Sequence, residues 1–256
     1  MAMIDRIEFK NFKILRNATL PLGPFTLVVG PNASGKSTAL DAIERGARLI
    51  WNKSLKPFDA ASYLSIGARE SSSERIQVSF HWSGDTQAVA QFSPDMTVKE
   101  YVLHGKRIMQ PEFTAGQSSQ SFCRFSFDPA AIAAPAKLRK TLELQPNGAD
   151  LVVVLDQMRD QFPERFAAIN DGVRNWLPDY DHILFDTPSD GMRSVQLRAH
   201  DNGEGIAANH LSDGTLLALA ILTLGYLPNP PSLVAIEEPD HGIHPRLLRL
   251  VQDALY

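Results

Sequence analysis

A short glycine-containing loop near the amino terminus carries residues that could bind phosphate. It reads Gly30-Pro31-Asn32-Ala33-Ser34-Gly35-Lys36-Ser37-Thr38, which is the spacing G-x-x-x-x-G-K-S. Gly30 and Gly35 let the backbone curl so that successive N–H groups point at phosphate oxygens. Lys36 can reach the β- and γ-phosphates, and the Ser37 hydroxyl can ligate Mg²⁺. We call residues 30–38 the phosphate loop, and they predict a binding site for a nucleoside triphosphate.

The segments on either side of this loop have the character of a strand and a helix. Residues 25–29 form an apolar run, which predicts a strand, and residues 39–50 have the pattern of a helix. The loop then ends at a helix amino terminus, where unpaired N–H groups and the helix dipole favour an anion. A chance glycine turn would share the spacing, but the order of strand, loop and helix favours nucleotide binding.

Two neighbouring acids follow a second apolar run near the other end of the chain. Leu233–Ile236 predicts a short, fully buried strand, and Glu237 and Glu238 come directly after it. Glu237 could hold the Mg²⁺ shell, usually through water, and Glu238 could orient the water that attacks the γ-phosphate. The alternative is an acid-rich, solvated turn between strand and helix. The upstream phosphate loop favours the catalytic interpretation.

The segment Leu211-Ser212-Asp213-Gly214-Thr215 leads into a strongly apolar helix at 216–226 and is a second candidate anion site. The Ser212 hydroxyl and the Gly214 N–H could both donate to a γ-phosphate. Ser-Asp-Gly is also an ordinary turn and helix cap, so the segment alone is a weak signal. Its position between the phosphate loop and the strand that ends in two acids favours the anion-site interpretation.

The remaining patterns indicate the elements that must position these residues. Alternating residues at 3–12 and 14–20 predict an antiparallel pair of strands ahead of the phosphate loop. Alternation within 75–109 predicts a β-meander, and 181–199 predicts a hairpin. Apolar spacing and a proline at a first helical turn predict a helical hairpin at about 147–177.

Bulk properties are those of a globular protein in a reducing compartment. The chain of 256 residues is 44% hydrophobic and 21% charged, with a net charge of −4 and one cysteine. A net negative charge excludes non-specific binding of nucleic acid by an overall basic field. The amino terminus lacks the apolar core of a signal peptide. The apolar run at 216–227 is too short to span a bilayer. We therefore expect a cytoplasmic protein without a membrane partner.

Two smaller features admit competing interpretations. Residues 137–140 (Lys-Leu-Arg-Lys) are the densest basic cluster and are more typical of a solvated face than of a binding surface. His241 and His244 have a spacing compatible with metal ligation, but no third and fourth ligand are evident. Hydrogen bonding across an interface is the favoured interpretation, and zinc is not predicted.

Taken together, these motifs resemble the ABC-type ATPase heads of the RecF/SMC kind. They resemble more closely the bacterial AAA-family ATPases related to the overcoming-lysogenization-defect (OLD) proteins. The similarity covers nearly the whole chain and includes further stretches besides the three segments above. The further matching stretches are 7–13, 125–129 and 242–245, the last in the place of the family's D-loop.

The resemblance implies a fold, a set of site residues and an assembly. The fold is a single α/β P-loop NTPase domain over residues 1–256, with an antiparallel β subsheet and an inserted helical lobe. It implies that Lys36 and Glu238 are catalytic and that Ser37 and Glu237 serve the metal. It implies that each ATP lies between one copy's loop and acids and a second copy's Ser212 and Gly214. The nucleotide-binding residues implied are Lys13, Gly30, Asn32, Ala33, Ser34, Gly35, Lys36, Ser37, Thr38, Ser212 and Gly214.

The functional prediction is an ATP-binding, Mg²⁺-dependent ATPase head that dimerises around ATP and drives a partner. The family implies a DNA-repair or anti-phage context, a possible nuclease or effector partner, and possible DNA contact. The family continues beyond this chain's Tyr256 with another strand ending in a histidine, so slow turnover is expected. The alternative is a nucleotide-sensing regulatory subunit without significant turnover. A transporter subunit and a small-molecule kinase are less favoured.

Overall fold

The computed structural model describes residues 3–50, 60–65, 75–83, 87–92, 99–103, 106–108 and 122–239. The chain divides into two compact units. Unit 1 comprises Met1–Cys123 and Pro231–Leu233, and unit 2 comprises Arg124–Pro230 and Val234–Tyr256. None of the helices in the described residues combines the length and apolar character needed to cross a membrane.

Unit 1 is built on a six-stranded antiparallel sheet. Its strand order is β2-β1-β3-β4-β5-β6. The strands are β1 (Ile4–Phe12), β2 (Leu15–Pro21), β3 (Ile76–Trp82), β4 (Gln87–Phe92), β5 (Lys99–Leu103) and β6 (Lys106–Ile108). The predicted amino-terminal strand pair and the predicted meander are both confirmed.

The burial pattern of β1 shows how the sequence directs this sheet. Ile7 and Phe9 are buried and Lys10 is exposed, as expected for a strand whose side chains alternate between two faces. Ile4 is also buried although it lies an odd number of residues from Ile7. The pairing with β3 shifts register between Ile4 and Arg6, and this irregularity returns Ile4 to the core face.

The helix that follows the phosphate loop is α1 (Lys36–Ile50), and it contacts β3 and β4. Its buried residues recur at helical spacing and form one apolar stripe against the sheet. They are Ala42, Ile43, Gly46, Ala47 and Ile50. A short helix, α2 (Ala60–Tyr63), follows, and Leu64 next to it bridges to Phe12 of β1.

The prediction of a strand at residues 25–29 is wrong. These residues have no regular secondary structure, and the side chains of Leu27 and Val29 are 64% and 80% exposed. A strand requires a neighbour that accepts and donates its ladder hydrogen bonds. Within the described residues no strand pairs with this segment, so its apolar, β-favouring composition does not suffice.

Unit 2 combines helices with a second sheet. The helices are α3 (Pro129–Ala133), α4 (Leu151–Gln161), α5 (Pro163–Trp176) and α6 (Asp213–Gly225). The four-stranded sheet has the order β11-β10-β8, with β9 paired to β10. Its strands are β8 (Ala136–Lys137), β9 (Tyr180–Asp186), β10 (Met192–Ala199) and β11 (Gly205–Ala207). The predicted hairpin at 181–199 is confirmed, and the two helices predicted at 147–177 are present as α4 and α5; their role as an inserted lobe stays a prediction.

The core of unit 2 forms where α5 packs against β9 and α6. Asn170 of α5 is buried, and its side-chain oxygen accepts a hydrogen bond from Ile183 N of β9 at 2.8 Å. Helix α6 is apolar around its whole circumference and is buried from Gly214 to Leu224. Its one deeply buried hydroxyl, on Thr223, donates to Leu219 O at 2.7 Å. The buried side chains of Asn170 and Thr223 are thus both hydrogen-bonded.

Two short strands, β7 (Phe122–Phe125) and β12 (Leu233–Ile236), form a separate two-stranded sheet. The strand predicted at Leu233–Ile236 is confirmed, but the expectation that it is fully buried is wrong. All four of its residues are half-buried. This differs from the continuous burial of a central parallel strand, whose two faces are both covered by helices.

Candidate functional site

The phosphate loop in unit 1 has a backbone that depends on its small residues. Gly35 has φ of 100° and Ala33 has φ of 64°, both in the left-handed region. A Cβ on Gly30 would lie 2.9 Å from Ser34 Oγ, and one on Gly35 would lie 3.1 Å from Ile14 Cγ2. A left-handed alanine costs about 1–2 kcal/mol, a strain that the surrounding loop must offset. The loop is therefore held in a specific curl that larger residues would disturb.

Lys36 begins α1, and its ammonium group folds back over the loop. Its Nζ donates hydrogen bonds to the carbonyl oxygens of Gly30, at 2.6 Å, and Pro31, at 2.9 Å. An ammonium has three protons, so these bonds leave one for a further acceptor. The first helical bond that closes on the loop runs from Ala39 N to Gly35 O, at 2.8 Å.

The first turn of α1 therefore presents backbone donors and a hydroxyl. Because Ala39 N is the first to bond back into the helix, the N–H groups before it, of Lys36, Ser37 and Thr38, are the helix's initial donors. Ser37 is exposed and Thr38 is half-buried, and Asn32, Ala33 and Ser34 of the loop are exposed. The positive end of a 15-residue helix favours an anion at this position.

The tip of the β1–β2 hairpin lies against this loop. Ile14 at the tip is the side chain that a Cβ on Gly35 would meet, and Lys13 precedes it. Lys13 has φ of 49°, and its backbone N–H donates to Tyr63 O. The tip is thus fixed both to the loop and to α2. This arrangement places Lys13 next to the phosphate loop.

The Lys13 side chain belongs to a small charged cluster on α1. Its Nζ lies 3.5 Å from Asp41 Oδ2 and 4.1 Å from the ring centre of Tyr63. Arg45 donates to the other Asp41 oxygen at 2.9 Å and to the Tyr63 hydroxyl at 3.1 Å. Asp41 therefore partly neutralises two cations. The 3.5 Å separation is long for a charge-assisted bond, so Asp41 holds the Lys13 ammonium only weakly.

In unit 2, the two acids come directly after β12. Glu237 N donates to Phe125 O of β7 at 2.9 Å, and Glu237 Oε1 accepts from Arg124 at 2.8 Å. Glu238 is exposed and has φ of 47°. A left-handed glutamate is uncommon, and such residues concentrate at functional sites. The chain turns sharply here. The Glu237 carboxylate is therefore half-buried and paired with Arg124, whereas Glu238 is exposed.

Ser212 caps the amino terminus of α6. Its Oγ accepts a hydrogen bond from Thr215 N at 3.2 Å and lies 2.8 Å from Thr215 Oγ1. Ser212 is exposed, whereas Gly214 is buried. The ordinary capping role that the sequence allowed is therefore present. A serine that caps a helix still has its own hydroxyl proton, so donation to a ligand remains compatible with the geometry.

The structure groups the predicted site residues by unit. Unit 1 brings Lys13, Lys36 and the loop residues together, and unit 2 holds the acidic pair and the α6 cap. Sequence reasoning missed Arg124, the partner of Glu237. The only sequence signal for it is a basic residue within the phenylalanine-rich segment 122–127. The predictions on His241, His244 and 242–245 lie outside the described residues.

Comparison with known proteins gives a family and two relatives. Residues 25–256 match the family described as AAA domain, putative AbiEii toxin, Type IV TA system. The OLD nuclease of Thermus scotoductus is 46% identical over 56 residues, which are 22% of this chain and 10% of that protein. The chromosome partition protein Smc of Methanocaldococcus jannaschii is 51% identical over 45 residues, 17% of this chain and 4% of that protein.

These matches confirm the predicted resemblance to an ABC/SMC-like AAA-family ATPase related to OLD proteins. The matched regions span a tenth or less of the two relatives' own lengths. The similarity to them is therefore local, whereas the family match covers most of this chain.

Proposed function

Because the chain belongs to the AAA-domain family described as putative AbiEii toxin, Type IV TA system, we propose that it binds ATP and hydrolyses it with Mg²⁺. The observation that carries this proposal is the phosphate loop. Its left-handed Ala33 and Gly35, the folded-back Lys36 and the start of α1 combine a backbone cradle, a cation and a helix terminus. Each of these favours a polyphosphate for an independent reason.

Lys36 would bind the β- and γ-phosphates through the proton that its two loop carbonyls leave over. The two carbonyls hold the ammonium in place, so little side-chain entropy is lost when a phosphate arrives. Lys13, next to the loop and weakly held by Asp41, would add a second cation. Asn32 would line the γ-phosphate, and the backbone of 33–38 would supply N–H donors.

The oxygen donors of the chain suit Mg²⁺, which prefers oxygen ligands and binds through few protein groups plus phosphates. We propose Ser37 and Glu237 for this role. Ser37 is exposed in the first turn of α1, and the hydrogen bond from Arg124 uses one Glu237 oxygen and leaves acceptor capacity on the other. Bound Mg²⁺ would neutralise charge on the transferring phosphoryl group. Glu238 would accept the proton of the attacking water.

We further propose that two copies enclose ATP, with Ser212 and Gly214 of one copy facing the loop of the other. The α6 cap supports this, since an exposed serine and a helix amino terminus can donate to an anion. Such an assembly would couple nucleotide state to a partner. The name of the OLD nuclease relative makes a nuclease or other effector, with DNA in reach, the first partner to test.

The deciding experiment measures ATP-analogue binding and phosphate release side by side. Lys36→Ala should abolish binding, whereas Glu238→Gln should bind like the unmodified chain and lose about 10²–10⁴-fold in turnover. Lys137→Ala and Glu204→Gln, exposed residues outside the loop and the acidic pair, are the matched controls and should change neither quantity. Binding without any release above the Glu238→Gln level would show a nucleotide-sensing subunit instead. An unmodified chain that binds no nucleotide would refute the proposal.

Assembly is tested by mass measurement with and without a non-hydrolysable ATP analogue. The expected result is a dimer with the analogue, most populated for Glu238→Gln, and its loss in Ser212→Ala. A monomer under all conditions would refute the two-copy arrangement while leaving ATP binding intact.

A further inference from the structure

We propose that Arg124 is a positioning residue that aims the Glu237 carboxylate at the metal. This inference rests on the proposed function, since it assigns a role to a residue that acts through Glu237. Arg124 lies in β7, and Glu237 follows β12, 113 residues later. No motif of the sequence contains Arg124, and its importance comes from the fold alone.

Two contacts fix Glu237, one through its backbone and one through its side chain. The backbone N–H of Glu237 donates to Phe125 O at 2.9 Å, which locks the end of β12 to β7. The guanidinium of Arg124, the residue before Phe125, then donates to Glu237 Oε1 at 2.8 Å. Because both contacts come from adjacent residues of one strand, the carboxylate has little freedom to swing.

The pair is shielded enough for this contact to have an effect. The side chains of Arg124 and Glu237 are only 23% and 20% exposed. Fully exposed pairs are screened by water and contribute little, whereas partly buried pairs interact more strongly. A hydrogen bond of 2.8 Å between charged groups is also at the short, strong end of its class.

The contact leaves the carboxylate able to serve a metal. Arg124 engages Oε1, so Oε2 keeps its acceptor sites for a metal-bound water. Groups that orient a metal ligand in this manner typically change metal affinity by about 10–100-fold when removed. On charge alone the effect would have the opposite sign, because a guanidinium repels Mg²⁺. The two effects predict opposite signs, so a measurement separates them.

The test measures how much Mg²⁺ is needed to enhance binding of a fluorescent, non-hydrolysable ATP analogue. Arg124→Gln should bind the analogue in EDTA as the unmodified chain does, because the phosphate loop is untouched. Its half-saturating Mg²⁺ concentration should rise by about tenfold or more. Arg124→Lys should recover part of this loss, because an ammonium can reach the carboxylate but cannot match the planar fork.

Two comparisons make the result specific to Glu237. Arg198→Gln is the matched control, because it removes another arginine–carboxylate pair of unit 2 and should leave the Mg²⁺ requirement unchanged. In a Glu237→Gln background, Arg124→Gln should add no further change. Thermal unfolding of each variant checks folding, and if Arg124→Gln does not fold, the smaller shift expected of Arg124→Lys decides.

An unchanged or lower Mg²⁺ requirement in the Arg124 variants would overturn the inference, as would full additivity with Glu237→Gln. Failure of the proposed function looks different. In that case the unmodified chain itself would bind no analogue, or would show no dependence on Mg²⁺.

Discussion

Gly46 lies where α1 crosses the six-stranded sheet, and its replacement by alanine should destabilise unit 1. A Cβ at this position would lie 2.9 Å from Val78 Cβ, 3.0 Å from its Cγ1 and 3.1 Å from Phe80 Cε2. Val78 Cβ is one bond from the backbone of β3, which is paired on both sides by β1 and β4. The obstructing atom therefore cannot move without displacing either the strand or the helix.

Two effects of opposite sign determine the size of the change. Alanine in place of glycine within a helix stabilises by about 1 kcal/mol. Overpacking of a core costs about 1–3 kcal/mol. Val78 and Phe80 are both 0% exposed, and the closest contact is to a rigid atom, so the upper half of that range applies. The net expectation is a loss of about 1–2 kcal/mol in the free energy of unfolding.

A double-mutant cycle with Val78→Ala tests the reasoning. Val78→Ala alone removes two buried methyl groups, worth about 1.6 kcal/mol in transfer free energy, and adds a cavity term. In the double variant the new methyl at position 46 fills part of that cavity. The double variant should therefore be more stable than the sum of the two single changes predicts, by about 1 kcal/mol or more. Urea unfolding followed by circular dichroism and tryptophan fluorescence measures the unmodified chain and the three variants.

Two results would refute the packing argument. One is a Gly46→Ala variant that is more stable than the unmodified chain by the full amount that helix propensity gives. The other is additivity of the two changes to within about 0.5 kcal/mol, the limit for sites that do not interact. Either would mean that the contact between α1 and β3 is looser than the interatomic distances indicate.

Three further variants test other features. Arg198→Gln should raise the pKa of Asp181, which the two hydrogen bonds from that guanidinium lower, at 2.7 and 3.0 Å. A lowered folded pKa gives stability that is present above the unfolded value of about 3.9 and lost as pH falls through the folded pKa. The difference in free energy of unfolding between Arg198→Gln and the unmodified chain, measured in urea, should therefore shrink as the pH falls. A difference that does not depend on pH would contradict this. Asn170→Ala should cost about 1–3 kcal/mol, because it leaves a buried N–H of β9 without its acceptor, and a cost below about 0.5 would argue against that bond. Lys13→Ala should weaken ATP-analogue binding by about tenfold, as loss of one charge-assisted bond would, whereas Lys10→Ala, exposed on β1, should not; equal effects would exclude a local role for the hairpin tip.

The elements whose sequence pattern is local could be predicted. Alternation identified β1 and β3, helical apolar spacing identified α4, and a continuous apolar run identified α6, with bounds that differ by a few residues from those observed. In each case the residues that define the pattern are also the ones that are buried. In these elements the local pattern and the tertiary packing agree, so the local pattern was enough to predict them.

The elements whose state depends on a partner could not be predicted. Residues 25–29 have the composition of a buried strand, yet Val29 is 80% exposed and no described strand pairs with it. The same reasoning overestimated the burial of β12, whose four residues are all half-buried. Composition reports what a segment would do if it were paired and covered. It does not report whether the pairing occurs.

The candidate site divides along the same line. Lys36, Ser37 and Glu237 could be proposed from the sequence because phosphate and Mg²⁺ accept few alternatives, so the chemistry itself restricts the residue type and its spacing. The residues that position these side chains are not restricted in type or in spacing. Any arginine that the fold brings within reach of Glu237 would serve, and the one that does lies 113 residues away in another strand. A supporting residue therefore carries no signature in the sequence. Under the proposed role, its loss should still weaken Mg²⁺ affinity about as much as many changes to the ligands themselves. Under the roles proposed above, variants chosen from motifs alone would assign the whole Mg²⁺ dependence to Glu237, and only a variant of Arg124 would separate the metal ligand from the residue that orients it.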